Sequence, residues 1–311
     1  MADKPQIAIL GIFVADLAFR AARMPVIGET ILGDGFAMGP GGKGSNQAVA
    51  AARAGGAVRF ISKIGADGFG ETGLKMWAAD GIDTAHVLVS PAHATGAAFI
   101  FVESVSGNNA IIVSPGAAGT IDEAVVEAAR PAIAGAKVFI TQLETPVAVG
   151  RRALEIARSG GAITVFNPAP AAAIDPAIYR LCDYVTPNES EAEIITGIAV
   201  RSVDDARRAG DALLKLGAGS ALITLGENGA LLHGAGRSVH VPSHKVTVVE
   251  TTGAGDAFNG AFAVAIGEGR DPVDAARFAC AAAAISVTRA GTAPSMAMRG
   301  EIEAFSKKPL S

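Results

Sequence analysis

Thr251-Thr252-Gly253-Ala254-Gly255-Asp256-Ala257-Phe258-Asn259-Gly260 lies between a β-branched run, Val246-Thr247-Val248-Val249, and an apolar, glycine-tolerant segment through Ala263 and Ile266. It reads as a strand-to-helix turn. Gly253 and Gly255 permit the dihedrals and close approach that such a turn requires, and the helix behind adds unpaired N–H groups and the positive end of its dipole. That combination is an anion site. A carboxylate inside it, Asp256, would repel a bound phosphate, yet it makes sense as a base acting on a hydroxyl next to that phosphate. The plainer alternative is a first-turn acid or N-cap, and the fragment alone leaves both open.

Working outward, 311 residues of 50% hydrophobic content can bury a large core in one α/β domain. A net charge of -4 with 5% aromatics gives no basic footprint, so nucleic acid is not an expected partner. The two cysteines, Cys182 and Cys280, are far apart in sequence and read as small buried side chains, not as a disulfide framework or zinc site. The five histidines form no HExxH-like set. Met1–Pro5 runs straight into an apolar strand without a signal-peptide pattern, and the longest apolar stretch, near Phe278–Val287, is too short to span a bilayer. A soluble cytoplasmic protein is expected.

Gln6–Gly11 has the continuous apolar pattern of a parallel strand buried on both faces. Residues 12–40 lack a helical period and read as strands or loops leaving the sheet. Gly39–Gly44 matches G-x-G-x-x-G, but it does not follow the first strand directly and no acid ends the next strand, which argues against a dinucleotide site. Gly44 after Lys43 excludes a Walker A loop. What remains is a backbone-exposing turn with Lys43 and Asn46, suited to a polyhydroxylated ligand or simply a solvated helix start, ahead of a helix over 48–53 and a strand over 58–64. A helix over 67–80 follows. Residues 95–101 and 110–113 flank Gly107-Asn108-Asn109 as a hairpin that, with 12–40, makes a small β flap.

The rhythm then becomes regular: helix 122–134, strand 137–141, helix 147–158, strand 162–166, helix 202–216 and strand 221–224. This alternation predicts βαβ units around a parallel sheet. Glu144 and Asn167-Pro168 fall just past strand ends, the edge where such sheets bind ligands, although Glu144 before Pro146 also fits a plain dipole partner. Asn188-Glu189-Ser190-Glu191 reads as a capping box or as oxygen ligands facing a magnesium–phosphate group. Leu225–Gly229 is a glycine turn at the same edge, suited to a nucleotide or to a hairpin into 230–233. Asp271-Pro272 caps a helix through Val287, and Ser295 caps a last helix.

Taken together, Gly41–Ala48, Asn167–Pro170, Thr186–Glu191, Thr224–Gly226 and Thr252–Asp256 resemble the ribokinase (PfkB-type) carbohydrate kinase family, in order and over nearly the whole chain. The resemblance implies a three-layer α/β/α sandwich with a mostly parallel sheet, in a single domain over 1–311. Its β-sheet lid would come from segments near 12–40 and 95–113, often clasping a second copy as a homodimer. It implies ATP with Mg²⁺, and K⁺ as a candidate activator. Asp256 then resembles the general base, with Gly253, Ala254 and Gly255 as the anion hole. Asp16, Gly42, Lys43, Asn46 and Glu144 match sugar contacts, Asn188 and Glu191 the magnesium–phosphate site, and Thr224, Gly226 and Gly255 nucleotide contacts. Glu250 and Thr252 match the cation site.

The implied reaction is γ-phosphoryl transfer to the primary hydroxyl of D-ribose, chemistry that needs positioning and charge stabilisation. Two residues depart from the pattern. Val14 stands where the family's sugar motif carries Asn, and a sugar hydroxyl left unpaired there costs roughly 1–3 kcal/mol. Deoxyribose, a ketohexose or a nucleoside are therefore alternative substrates. Glu250 stands where Asp is usual beside the cation. From another class, a non-catalytic sugar or nucleotide sensor on the same scaffold is the competing reading.

Overall fold

The computed structural model describes residues 4–234 and 236–308; Met1–Asp3, part of the stretch read for a leader, lie outside the described residues. In chain order, β1 (Gln6–Leu10) is followed by β2 (Val14–Ala21), β3 (Gly35–Gly41), α1 (Lys43–Arg53) and β4 (Ala57–Gly65). Then come α2 (Gly68–Ala79), β5 (Asp83–Ser90), β6 (Thr95–Glu103) and β7 (Asn109–Gly116). The next stretch holds α3 (Glu123–Ala128), α4 (Arg130–Ala134), β8 (Val138–Gln142), α5 (Val147–Ser159), β9 (Ile163–Asn167) and β10 (Tyr184–Val185). After α6 (Glu189–Thr196), α7 (Val203–Leu216) and β11 (Ser220–Thr224), the hairpin β12 (Ala230–Gly234) and β13 (Arg237–Val241) precedes α8 (Ala254–Gly267), α9 (Pro272–Ser286) and α10 (Arg299–Phe305).

A nine-stranded sheet has the order β13-β12-β11-β10-β9-β8-β1-β4-β5. It is parallel from β11 to β5, and β12 joins it antiparallel. Strand alternation sends Ile7 and Ile9 into one core and Ala8 and Leu10 into another, as expected of strands covered on both faces. The first core contains residues of α1, α2, α8, α9 and α10, and the second those of α3 to α7. Two helical layers therefore sandwich the sheet. Each layer holds one cysteine, Cys280 on α9 and Cys182 just before β10, both buried and unpaired.

A second sheet, β3-β2-β6-β7, stands apart, with β2 parallel to β6 and antiparallel to β3. It is built from residues 14–41 and 95–116, close to the flap read from sequence.

Several local expectations change. Val246–Val249 forms no strand: the run lies in an irregular loop, with Val248 and Val249 exposed and the Val249 and Glu250 N–H groups donating to Val287 O. The hairpin strand β13, unrecognised in the sequence, already occupies that sheet edge, and β-branched residues without a partner strand do not make a ladder. The single helix over 122–134 divides into α3 and α4, where Pro131 lacks the N–H that would continue α3. Ser295 does not cap the last helix; its hydroxyl donates to Thr292 O, and Glu301 caps α10 by accepting the Met298 N–H. α1 begins at Lys43, one turn earlier than its alanines suggest, and β5 carries no clear period.

Candidate active site

The chain leaves β1 towards β4 on one side and returns to β8 on the other, so the strand order reverses between β1 and β8. Open α/β sheets bind ligands at such a point, beyond the carboxyl ends of the strands. Gly11, Gln142, Asn167, Thr186 and Thr224 lie at or just past those ends.

Two helix starts converge there. Gly42 caps α1 at φ +89°, and a Cβ on it would stand 2.5 Å from Ile12 O, so only glycine lets β3 turn directly into the helix. Gly253, at φ +83°, does the same for α8 after an irregular approach. The helices pack closely: a Cβ on Gly260 would lie 2.6 Å from Ala50 Cβ. This close packing brings the first turn of α1 against the first turn of α8.

Asp256 is buried at that junction, 6% exposed. Its Oδ2 accepts from Asn46 Nδ2 and its Oδ1 from Gln47 Nε2, both at 3.0 Å. Burial pushes the Asp256 carboxyl up from the usual range, opposed by the Lys43 charge and by these two hydrogen bonds. Lys43 is pulled down by burial, but Asp256, Glu144 and Glu191 outweigh it and hold the ammonium charged. Glu144 accepts the Lys43 backbone N–H at 2.8 Å, a carboxylate on a helix N-terminus; burial, more than Lys43 relieves, pushes it up to about 7. Asp16, on β2, is pushed up to about 6 by burial, then by Glu250 and Asp256.

A cleft of about 120 Å³ opens beside Asp256, lined by Lys43, Asn167, Asn188, Glu191, Thr224, Gly253 and Gly255 among others. Asn188 and Glu191 form the predicted capping box: Asn188 Oδ1 accepts the Glu191 N–H and Glu191 Oε2 the Asn188 N–H. Glu191 is raised, chiefly by burial. Ala254 forms the first turn of α8 between Gly253 and Gly255, and nothing would meet a Cβ on Gly255, which leaves open space before that helix end. Gly226 heads a 3-10 turn after β11, outside the residues that line the cleft. Thr252 is exposed, and Glu250 Oε2 accepts the Gly291 N–H at 2.8 Å.

Asp16, Lys43, Asn46, Glu144, Glu191 and Asp256 are thus brought together from distant parts of the chain. A further set had no assigned role in the sequence reading. Gln142 Nε2 donates to Gln47 Oε1 at 2.6 Å, Gln47 Nε2 to Asn167 Oδ1 at 3.1 Å, and Asn167 Nδ2 to Thr186 O at 2.9 Å. Thr186 Oγ1 donates to Asn259 Oδ1 at 2.6 Å, and Asn259 Nδ2 to Gly255 O at 2.8 Å. The only sequence signal for these amides is their position beside the glycine motifs and at strand ends.

The donor set fits the ligands that the resemblance implies. Asn46 Oδ1 is buried with no partner, an acceptor available to a hydroxyl. Among the described residues no group of three or more acids, cysteines or histidines could cage a metal. The single carboxylate Glu191 next to Asn188 suits Mg²⁺ held largely by water and phosphate oxygens.

The pfkB family carbohydrate kinase model matches residues 4–298. The chain belongs to the pfkB family of carbohydrate kinases. Within this family, it is 40% identical over 299 residues to a ribokinase of Haemophilus influenzae, covering 96% of this chain and 97% of that one. It is 36% identical over 287 residues to a deoxyribokinase of Salmonella typhi, covering 92% and 94%. Among solved pfkB-type folds, an Arabidopsis thaliana ribokinase complexed with ribose and ATP superimposes with a TM-score of 0.91 at 27% identity, covering 99% of this chain and 100% of that one. A Thermotoga maritima ribokinase gives 0.87 at 35%, covering 97% and 99%.

Proposed function

We propose that this pfkB-family kinase transfers the γ-phosphoryl group of ATP to the primary hydroxyl of ribose, with Asp256 as general base. The observation that carries this reading is a buried carboxylate at the open N-terminus of α8, flanked by Lys43 and two amides. Asp256 takes the hydroxyl proton while the sugar oxygen attacks the γ-phosphorus; the bond to the bridging oxygen breaks and ADP leaves. N–H groups of Gly253 and Gly255 offer donors to the charge developing on the phosphoryl oxygens, while the Ala254 N–H donates to Thr251 O at 3.2 Å and would have to turn from it to join them. Asn46 presents its open acceptor to a sugar hydroxyl, with Asp16, Gly42, Lys43 and Glu144 as further sugar contacts. Thr224 ends β11 and Gly226 follows it, and with Asn188 they make up the nucleotide side.

Bound Mg²⁺ would shield phosphate charge near Glu191, which matters in a site where carboxylates outnumber the single cation Lys43. One Glu250 oxygen is bonded to Gly291, which leaves the other for K⁺, with Thr252 close by in sequence. In this reading the chain is one kinase domain whose four-stranded sheet closes over the sugar. Exposed Phe19, Phe36, Met38 and Ile112 on that sheet support a homodimer clasped through it. The setting is the cytoplasm, where ATP is available; among the described residues no helix is long and apolar enough to cross a membrane.

Deoxyribose is the second reading, favoured by Val14, an apolar side chain buried on β2 two residues before Asp16. Steady-state kinetics of wild type and Asp256→Asn over ribose, deoxyribose, fructose and nucleosides, with and without K⁺, test the proposal. The expected outcome is one preferred pentose and a kcat loss of about 10²–10⁴-fold in Asp256→Asn. Wild-type turnover by that variant would exclude the base, and ATP binding without ADP release on any sugar would favour a sensor.

A further inference from the structure

Gln47 donates from one nitrogen to two oxygens, Asp256 Oδ1 at 3.0 Å and Asn167 Oδ1 at 3.1 Å, while its own Oε1 accepts from Gln142 Nε2 at 2.6 Å. All four side chains are buried. The direction of this relay is dictated by its end: a flipped Gln47 would turn a carbonyl oxygen toward a carboxylate and a second carbonyl, leaving its NH2 facing that of Gln142. Asn167 is fixed in turn because its Nδ2 donates to Thr186 O at 2.9 Å. Gln142 is wedged where the backbones of Gly11 and Gly44 meet; a Cβ on Gly11 would stand 2.5 Å from its Oε1.

We propose that Gln47 is a positioning residue for Asp256, locked by Gln142 and Asn167 so that a fixed N–H holds one carboxylate oxygen and favours the charged, proton-accepting form. The inference rests on the reading of Asp256 as base. A buried carboxylate loses water, and each hydrogen bond to its charged form recovers part of that loss. The charged groups around Asp256 are Lys43 on α1, Asp16 on β2, Glu144 after β8 and Glu191 on α6. Burial is what raises Asp256, and of these groups only Lys43 favours the carboxylate, so Asn46 and Gln47 add to it against the loss of water.

Gln47→Met keeps the length and removes the donor. The expected result is a rate reduced about tenfold on the acidic limb of the kcat/KM profile, the limb being moved up by about one unit, with activity above the limb and KM for sugar and ATP nearly unchanged. A purely packing role would lower activity by the same factor at every pH, and an unmoved limb overturns the proposal. Gln142→Met leaves Asp256 its direct donor but frees Gln47 to rotate; a smaller displacement in the same direction is expected. It carries the test alone, with the same overturning result, should Gln47→Met not fold. Asp256→Asn separates the failures. If that variant is active the base reading falls, whereas if it is inactive and the limb stays put in both glutamine variants only the positioning falls.

Discussion

At Glu144 the cost of burying a carboxylate is greater than its neighbours offset, and its carboxyl is pushed up to about 7 from 4.5. The folded protein therefore holds this proton more tightly than the unfolded chain does. The resulting stability is present in full below about 4.5 and is lost as pH rises through about 7. Asp16, raised to about 6, acts in the same direction over a lower window. Glu144→Gln, which does not titrate, should thus gain in melting temperature relative to ligand-free wild type as pH rises from 5 to 8; a constant difference across that range would contradict this. Asp256 was legible as a candidate base because an acid in a glycine-rich helix start is an unusual choice. Gln47 and Gln142 were not, because a buried amide is meaningful only through partners 95 to 209 residues away.

Elements do their work here through where they begin. α1 and α8 start from glycines with positive φ, and their first turns meet because Gly260 admits Ala50 and the backbone of Ala51. Gly260→Ala places a methyl 2.6 Å from Ala50 Cβ. The expected cost is about 1–3 kcal/mol in urea denaturation, accompanied by a lower kcat as Asn46 and Gln47 move from Asp256. Unchanged stability would mean that the two helices are free to separate. The parallel strands were readable from their short apolar runs, and the Asn188–Glu191 box from its three-residue spacing. Val246–Val249 misled for a physical reason: branched side chains favour a pleated surface but cannot supply one, and the place beside β12 is taken by Arg237–Val241.

For the whole molecule, the second sheet leaves one apolar face uncovered, with Phe36 60% and Ile112 66% exposed. If two copies clasp through it, Ile112→Asp should give a monomer by analytical ultracentrifugation under conditions where wild type is a dimer. A wild-type monomer at all concentrations would remove the dimer. The sequence showed that these segments leave the main sheet, since they break the strand and helix rhythm, but not what covers them. The two buried cysteines have a separate consequence. Cys182 and Cys280 lie in different cores on opposite faces of the large sheet, each thiol raised chiefly by burial and so kept in its unreactive form. Alkylation of either sulfur then requires its own helical layer to open, so the pair forms a built-in two-channel clock for local unfolding, one channel for the side holding α8 and one for the side holding α6.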